Sequence, residues 1–394
     1  MIIKSKRIYT SDGVVDGYIQ IEDGKIKDIL KTCEEKVDKD VSDNIIIPGI
    51  IDTHNHGTMG FGLMGDAVDK EREVRGYLKG VASQGVTACL PTADFTLLDT
   101  IASVSKTKID GAKPIGIHTE GPYLNRVGEK GIDTGHPEID LKHCQEMMDK
   151  AGGMLKLVAI APEIPNAKDA IELFTKNGVR CAFAHSNAMY QEALESFKWG
   201  ITVTTHTANV MSGIHHRNMG GLGACLLNDD VYNELIADGL HVSNEMIEIM
   251  LRTKKDAINK FLLISDNVPM SGAPIGRYNL EGMFEVNIDD KGYCLSDTGR
   301  LCGSTLPVIR GIKNLVTNLD ISLEDVIKMA SKNPAHVYGA TTKGELSKGK
   351  DADFVVIDDD FNVQYTYSEG DCVYDCQKDT DLFNSNFMER CFLK

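Results

Sequence analysis

The sequence predicts an α/β chain, a (β/α)8 TIM-like barrel with a small β-sandwich domain formed by both chain termini. Three observations predict it. Apolar, β-branched runs recur along the middle of the chain. Helix-length amphipathic stretches separate them, several ended by glycine. Most runs begin apolar and carry His, Glu or Asp at or near their ends. Continuous apolar strands alternating with helices imply a parallel sheet, and eight such units fit the roughly 250 residues typical of the barrel.

The elements follow in order. Residues 1–47 hold short strands with turns at "SDGVVDG" and "EDGK". The first barrel run is "IIIPGIID", leading into "THNHG". Then come "VTACLPT", "PIGIHTE", "LKLVAIAPE", "RCAFAHS", "ITVTTHT", "NELIADG" and "FLLISD". Helical patterns such as "DKEREVRGYLKGVASQG", "DLKHCQEMMDKAGG" and "MYQEALESFKWG" lie between them. Residues 48–343 are therefore assigned to the barrel. Residues 344–378 return to short strands and turns, and 379–394 read as a tail or short helix. Neither terminal segment can build a core alone, so 1–47 and 344–394 are expected to form one small domain together.

Bulk properties bound the function. The chain has 394 residues, 42% hydrophobic and 25% charged, which is the composition of a globular protein. Its net charge of −16 disfavours nucleic acid, so an anionic substrate needs local positive charge. No signal-peptide core and no membrane-spanning run is visible. Ten scattered cysteines read as reduced thiols of a cytoplasmic protein. Cys372 and Cys376, without a second pair or nearby histidines, read as ordinary residues.

The strand ends carry the chemistry. Barrel active sites sit at the C-terminal face of the strands. The ends here deliver His54, His56, Glu120, His185, His206, His241 and Asp266. His54 and His56 stand at i and i+2, hence on one side of a strand. Packing does not explain so many ionisable ends on one rim, because unpaired buried charge is costly. Imidazoles with carboxylates suit Zn2+, Fe2+, Mn2+ or a related ion. The set suffices for two metals with Glu120 bridging. The expected chemistry is metal-assisted hydrolysis or deamination, with a carboxylate moving the proton. Ser212 and Ser304 lack a base at motif spacing, which argues against a serine nucleophile. His118 fits packing as well as function. His143, His215, His216 and His336 read as structural or surface residues, and Trp199 as core.

"PGIIDTHNHG" resembles the opening metal motif of the amidohydrolase superfamily. "HTEGPYLN", "APE", "AHSNAMY", "TTHTANVMSGIHHR", "LIADGLHV", "LISDNVPMSG" and "CGSTLPVIRGIKNLV" resemble, in order, the N-acetylglucosamine-6-phosphate deacetylase family, over nearly the whole chain. The resemblance implies that Glu120, His185 and His206 bind a core metal. His54 and His56 would hold a second, and Asp266 would be the acid/base. His241 would contact the sugar. Arg217, reaching in from the neighbouring subunit of a homodimer, would bind the 6-phosphate, helped by Asn209 and the backbone at Val210. An Arg fork suits phosphate. The implied cofactor is one or two divalent transition metals per subunit, Zn2+ or Fe2+. Three features depart from the family pattern. Thr207–Ala208 replaces an apolar–aromatic pair. His136, the candidate for polarising the carbonyl, stands three residues further on. Asn267 and Pro269 follow Asp266 in place of small apolar residues. These departures leave open an N-acetylgalactosamine 6-phosphate deacetylase or another amidase or deaminase. A barrel that keeps metal only for structure is disfavoured by the intact Asp266.

Overall fold

The computed structural model describes residues 1–65, 67–127, 132–133, 138–279 and 285–393, with the backbone alone at 126–127 and 132–133. Its centre is a run of parallel strands: β1 (Ile50–Asn55), β2 (Val86–Pro91), β3 (Ile117–Glu120), β4 (Leu155–Ile160), β5 (Arg180–Phe183), β6 (Ile201–Thr204), β7 (Tyr232–Ile236) and β8 (Phe261–Ile264). Burial on both faces explains the uninterrupted apolar runs: every residue of β1, β2 and β8 is buried. In β4 the alternation is visible in the packing. Val158 and Ile160 belong to the large core shared with the helices, while Leu157 and Ala159 join a second cluster with Leu90, Ala182, Val203 and Leu262.

Hydrogen bonding divides the strands into two parallel sheets. One holds β1, β2 and the short Lys113–Pro114 strand; the other runs β3 to β8 in sequence order. Where a single continuous ring of eight was expected, ladder pairing lapses at two seams. Parallel bridges span both seams at the carboxyl ends, Thr92 with His118 and Asn55 with Asn267. The Asp266 amide donates to the His54 carbonyl across the second seam (2.9 Å). Asp52 reinforces it, accepting from Ser265 Oγ at 2.6 Å and from Asn55 Nδ2 at 3.1 Å. Buried polar side chains thus stitch the two strands that carry His54, His56 and Asp266.

The helices between strands begin where the sequence supplies caps. Asp69 accepts from the Arg72 amide at the start of Lys70–Ser83, and Ser243 from the Met246 amide at the start of Asn244–Thr253. Lys70–Ser83 buries Val74, Tyr77, Leu78 and Val81 against the strands.

Strands from both chain ends pair as expected, but in one sheet. Its order is 371–375, 363–368, 354–357, 45–48, 2–10, 13–22, 25–30, with Lys39–Asp40 beside 2–10. The sandwich expectation called for two layers. Alternation in the central strands gives the sheet a different task. Ile46 and Val356 join the terminal cluster with Ile3, Ile8 and Phe354, while Ile45, Ile47, Val355 and Ile357 join the barrel core. The last residues also go elsewhere than the terminal domain. Ser385–Cys391 is helical, and Phe392–Leu393 pairs antiparallel with Gly276–Asn279 in a sheet that follows β8. Phe387 and Cys391 are the reason, since they bury beside Met270, Tyr278, Val286 and Ile288.

Lys343 fastens the junction between barrel and terminal sheet. Its Nζ lies 2.7 Å from Asp353 and 3.0 Å from Asp351, with all three side chains largely buried. Lys343→Met would leave Asp353 charged and buried without its cation. The expected cost is about 3 kcal/mol, read as a lower urea midpoint at unchanged slope.

Candidate active site

The ionisable strand ends meet at one place. The seat of each is backbone shape as well as strand position. His185, His206 and Asp266 have positive φ (45°, 30° and 51°), as do Ala208 and Val210 in the loop after β6. Non-glycine residues in this region cost energy, and such residues cluster at functional sites. Here the turn just past each strand swings its side chain over the strand ends.

Glu120, at the end of β3, is the hub. Its Oε1 lies 3.1 Å from His185 Nε2, 3.0 Å from His206 Nε2 and 3.5 Å from His54 Nε2. Its Oε2 lies 3.1 Å from His56 Nε2. Asp266 Oδ1 is 3.4 Å from His56 Nε2 and 3.5 Å from His54 Nε2. Imidazole nitrogens also face each other, His54 with His56 at 3.2 Å and His185 with His206 at 3.1 Å. Two groups have a cation-binding donor set: His54, His56 and Asp266, and Glu120, His185 and His206. The spacing fits a metal. Ligands about 2.1 Å from a tetrahedral ion stand about 3.4 Å from one another, and the distances here are close to that. Facing nitrogens cannot bond each other unless one carries a proton; a shared cation removes the conflict.

Charge within the cluster is unevenly held. Burial works against protonation of His54 and His56, yet the Asp266 and Glu120 carboxylates outweigh it. His54 is raised well above the usual imidazole range and His56 to about 9. Burial likewise opposes ionisation of the acids, and the histidines outweigh it. Glu120 is pulled well below the usual carboxylate range and Asp266 down to about 2. Both acids are therefore carboxylates, and His54 and His56 would have to give up their protons to hold a divalent cation beside them.

The other expected residues fall into three groups. His241 stands near the end of β7 with its Nδ1 2.7 Å from Asp238 Oδ2, which fixes its ring. Asn209 is nearly buried and donates to the His206 carbonyl at 3.1 Å, with Val210 beside it. Arg217 is exposed on the loop after β6, with no side-chain ion pair among the described residues. It is not gathered with the metal-type cluster within this chain. His136 lies outside the described residues.

Residues weighed for packing sort clearly. His118 is buried with Nδ1 3.1 Å from Thr92 Oγ1 and its ring 4.5 Å from that of His54. Burial pushes it well below the usual imidazole range, so it stays neutral. His143 packs on Phe95 and contacts the Tyr123 hydroxyl, and His336 is exposed. Ser212 donates to the Ala188 carbonyl, a structural use. Thr207 is fully buried and its hydroxyl meets Thr204 and Asn233, so this departure faces the strand packing and not the cluster.

Sequence reasoning missed three supporting carboxylates. Glu163, within the quoted "APE", accepts from Asn125 Nδ2 (2.9 Å), Ser186 Oγ (2.6 Å) and the Asn187 amide (2.5 Å), and so holds the turn after His185. Asp238 orients His241. Glu234 is buried in the middle of β7 with Oε2 3.1 Å from His54 Nδ1. The signal for the last was a charged residue in the middle of a strand run.

The chain is similar to several known proteins. The amidohydrolase family matches over residues 45–373. An N-acetylglucosamine-6-phosphate deacetylase of Vibrio furnissii is 33% identical, covering 84% of this chain and 83% of that protein. An N-acetylgalactosamine-6-phosphate deacetylase of Escherichia coli O157:H7 is 32% identical, covering 94% and 98%. The crystal structure of N-acetylglucosamine-6-phosphate deacetylase from Thermotoga maritima aligns with a TM-score of 0.78 at 29% identity, covering 95% of this chain and all of that one.

Proposed function

The chain belongs to the amidohydrolase family, and from that premise we propose how its residues hydrolyse the amide of N-acetylglucosamine 6-phosphate. It is a hydrolase of linear amide C–N bonds, a deacetylase of amino-sugar metabolism that releases acetate and glucosamine 6-phosphate. The observation that carries the reading is Glu120 touching four histidines at the carboxyl ends of the strands, with Asp266 beside them.

In the proposed assignment Glu120, His185 and His206 hold a core divalent metal, and His54 and His56 a second, with Zn2+ or Fe2+ the ions these donors suit. Such an ion, when bound, polarises a carbonyl and makes water acidic enough to attack at neutral pH. Asp266 Oδ1 takes the proton from the attacking water. The water oxygen bonds to the acetyl carbon, the C–N bond breaks, and Asp266 returns the proton to the departing amine nitrogen. A carboxylate pulled to about 2 starts this cycle in the required ionised form. His241, fixed by Asp238, orients the sugar, and Asn209 with the Val210 backbone lines the pocket. His136 is the proposed carbonyl-polarising group.

Arg217 is proposed to bind the 6-phosphate across a homodimer interface. Its exposure on the loop after β6, with no side-chain ion pair among the described residues, supports that role. Arg217→Ala is expected to raise KM for N-acetylglucosamine 6-phosphate about 10- to 100-fold, the worth of a hydrogen bond to a charged group. Turnover of unphosphorylated N-acetylglucosamine should not change. Equal effects on both substrates would reject the phosphate role.

The galacto epimer is the second reading. The relatives of the two specificities are 33% and 32% identical, which does not separate them. The buried position of Thr207 takes away one motive for it, and comparison of kcat/KM on the two 6-phosphates decides. We also assign residues 48–343 to a (β/α)8 barrel closed at the two bridged seams. Residues 1–47 with 344–384 form the small domain. A cytoplasmic location is supported by the ten cysteines, none of them in a disulfide among the described residues. No helix among the described residues is long and apolar enough to cross a membrane.

A further inference from the structure

We infer that Glu234 is a positioning residue that fixes the direction and tautomer of His54 and thereby sets the metal affinity of the His54, His56 and Asp266 group. The inference rests on the metal assignment proposed above. Glu234 stands in the middle of β7, one strand over from β8 and far in sequence from β1, yet its carboxyl reaches the His54 ring. Its Oε2 lies 3.1 Å from Nδ1, and both side chains are fully buried. His54 Nε2 points the other way, to Glu120, His56 and Asp266. A hydrogen bond from Nδ1 to this oxygen keeps the ring proton on the Glu234 side and leaves Nε2 to face the site. A carboxylate behind a metal-binding histidine fixes its ring and strengthens it as a ligand. The same Oε2 accepts weakly from the His206 amide, at 3.4 Å.

A purely structural carboxylate would not need to be here. Glu234 Oε1 has no hydrogen-bond partner among the described residues, and burying a carboxylate with half its acceptors unused is costly. An apolar side chain of similar size would pack the middle of β7 at lower cost, as Leu235 and Ile236 do beside it. The expense is accounted for by what Oε2 does to His54.

The test is Glu234→Leu, which fills the space and removes the acceptor, beside Glu234→Gln, which keeps an acceptor without the charge. Metal content and affinity are read by competition with a chelator for Zn2+, independently of turnover. Glu234→Leu is expected to weaken one of two Zn2+ equivalents about 10- to 100-fold, with the second unchanged and Gln intermediate. In a His54→Ala background the same substitution should have no further effect on Zn2+. Unchanged affinity in Glu234→Leu, equal weakening of both equivalents, or a further loss in the His54→Ala background would each overturn the inference. Wild-type protein that binds no Zn2+, Fe2+ or Mn2+ would instead overturn the metal assignment and the inference with it. If Glu234→Leu fails to fold, the Gln variant alone decides, since its shape is native and only its charge differs.

Discussion

Asp266→Asn lowers kcat for acetate release by about 100- to 10,000-fold, the range that one general acid/base group contributes. The substitution keeps shape and removes the proton acceptor. Asp266 is placed for that role by its backbone: φ is positive, and its amide is tied to the His54 carbonyl at 2.9 Å. Asparagine tolerates positive φ well, so the loop should keep its path. Metal at the Glu120, His185 and His206 group should remain, because Asp266 contacts His54 and His56 and belongs to the other donor set. The measurement pairs steady-state kinetics with metal analysis. Near wild-type kcat with full metal would remove Asp266 from the mechanism. Loss of all metal would mean that the residue acts by holding the site together.

Glu120→Gln has the second large expected effect, and on binding before catalysis. Four imidazoles stand around one carboxyl group at 3.0–3.5 Å. Removing its charge leaves those nitrogens facing one another with no anion between them. Residues behind metal ligands already cost 10- to 100-fold when changed, so a ligand itself should cost at least about 100-fold in affinity. The consequence extends to stability. A metal at 100 times its Kd stabilises the fold by about 2.7 kcal/mol, so added Zn2+ should raise the Tm of the wild type and barely move that of the variant. A variant stabilised as much as the wild type would show that the cation binds elsewhere.

Most of the site was legible because strand periodicity and strand ends are local in sequence. The i, i+2 spacing of His54 and His56, and the habit of most apolar runs to end on a ligand type, point to all six residues of the cluster. Glu234 was not legible in that way. Its partner is 180 residues away, and only the neighbouring of β7, β8 and β1 brings them together. Glu163 and Asp238 escaped for a similar reason, since each acts through hydrogen bonds to a turn. The terminal sheet was legible as an element but not as a packing. Consecutive isoleucines at 45–47 reveal a strand buried on both sides, but not that one side belongs to the barrel core. The fate of 385–393 turned on Phe387 and Cys391 finding Tyr278, a contact that no periodicity announces.

Acetate release by metal-replete protein, from N-acetylglucosamine 6-phosphate with the unphosphorylated sugar alongside, tests the central claim most directly. Rapid release from the phosphorylated sugar, and little from the other, is the expected result. No release from either, with metal bound at Glu120 and its histidines, would contradict the deacetylase mechanism.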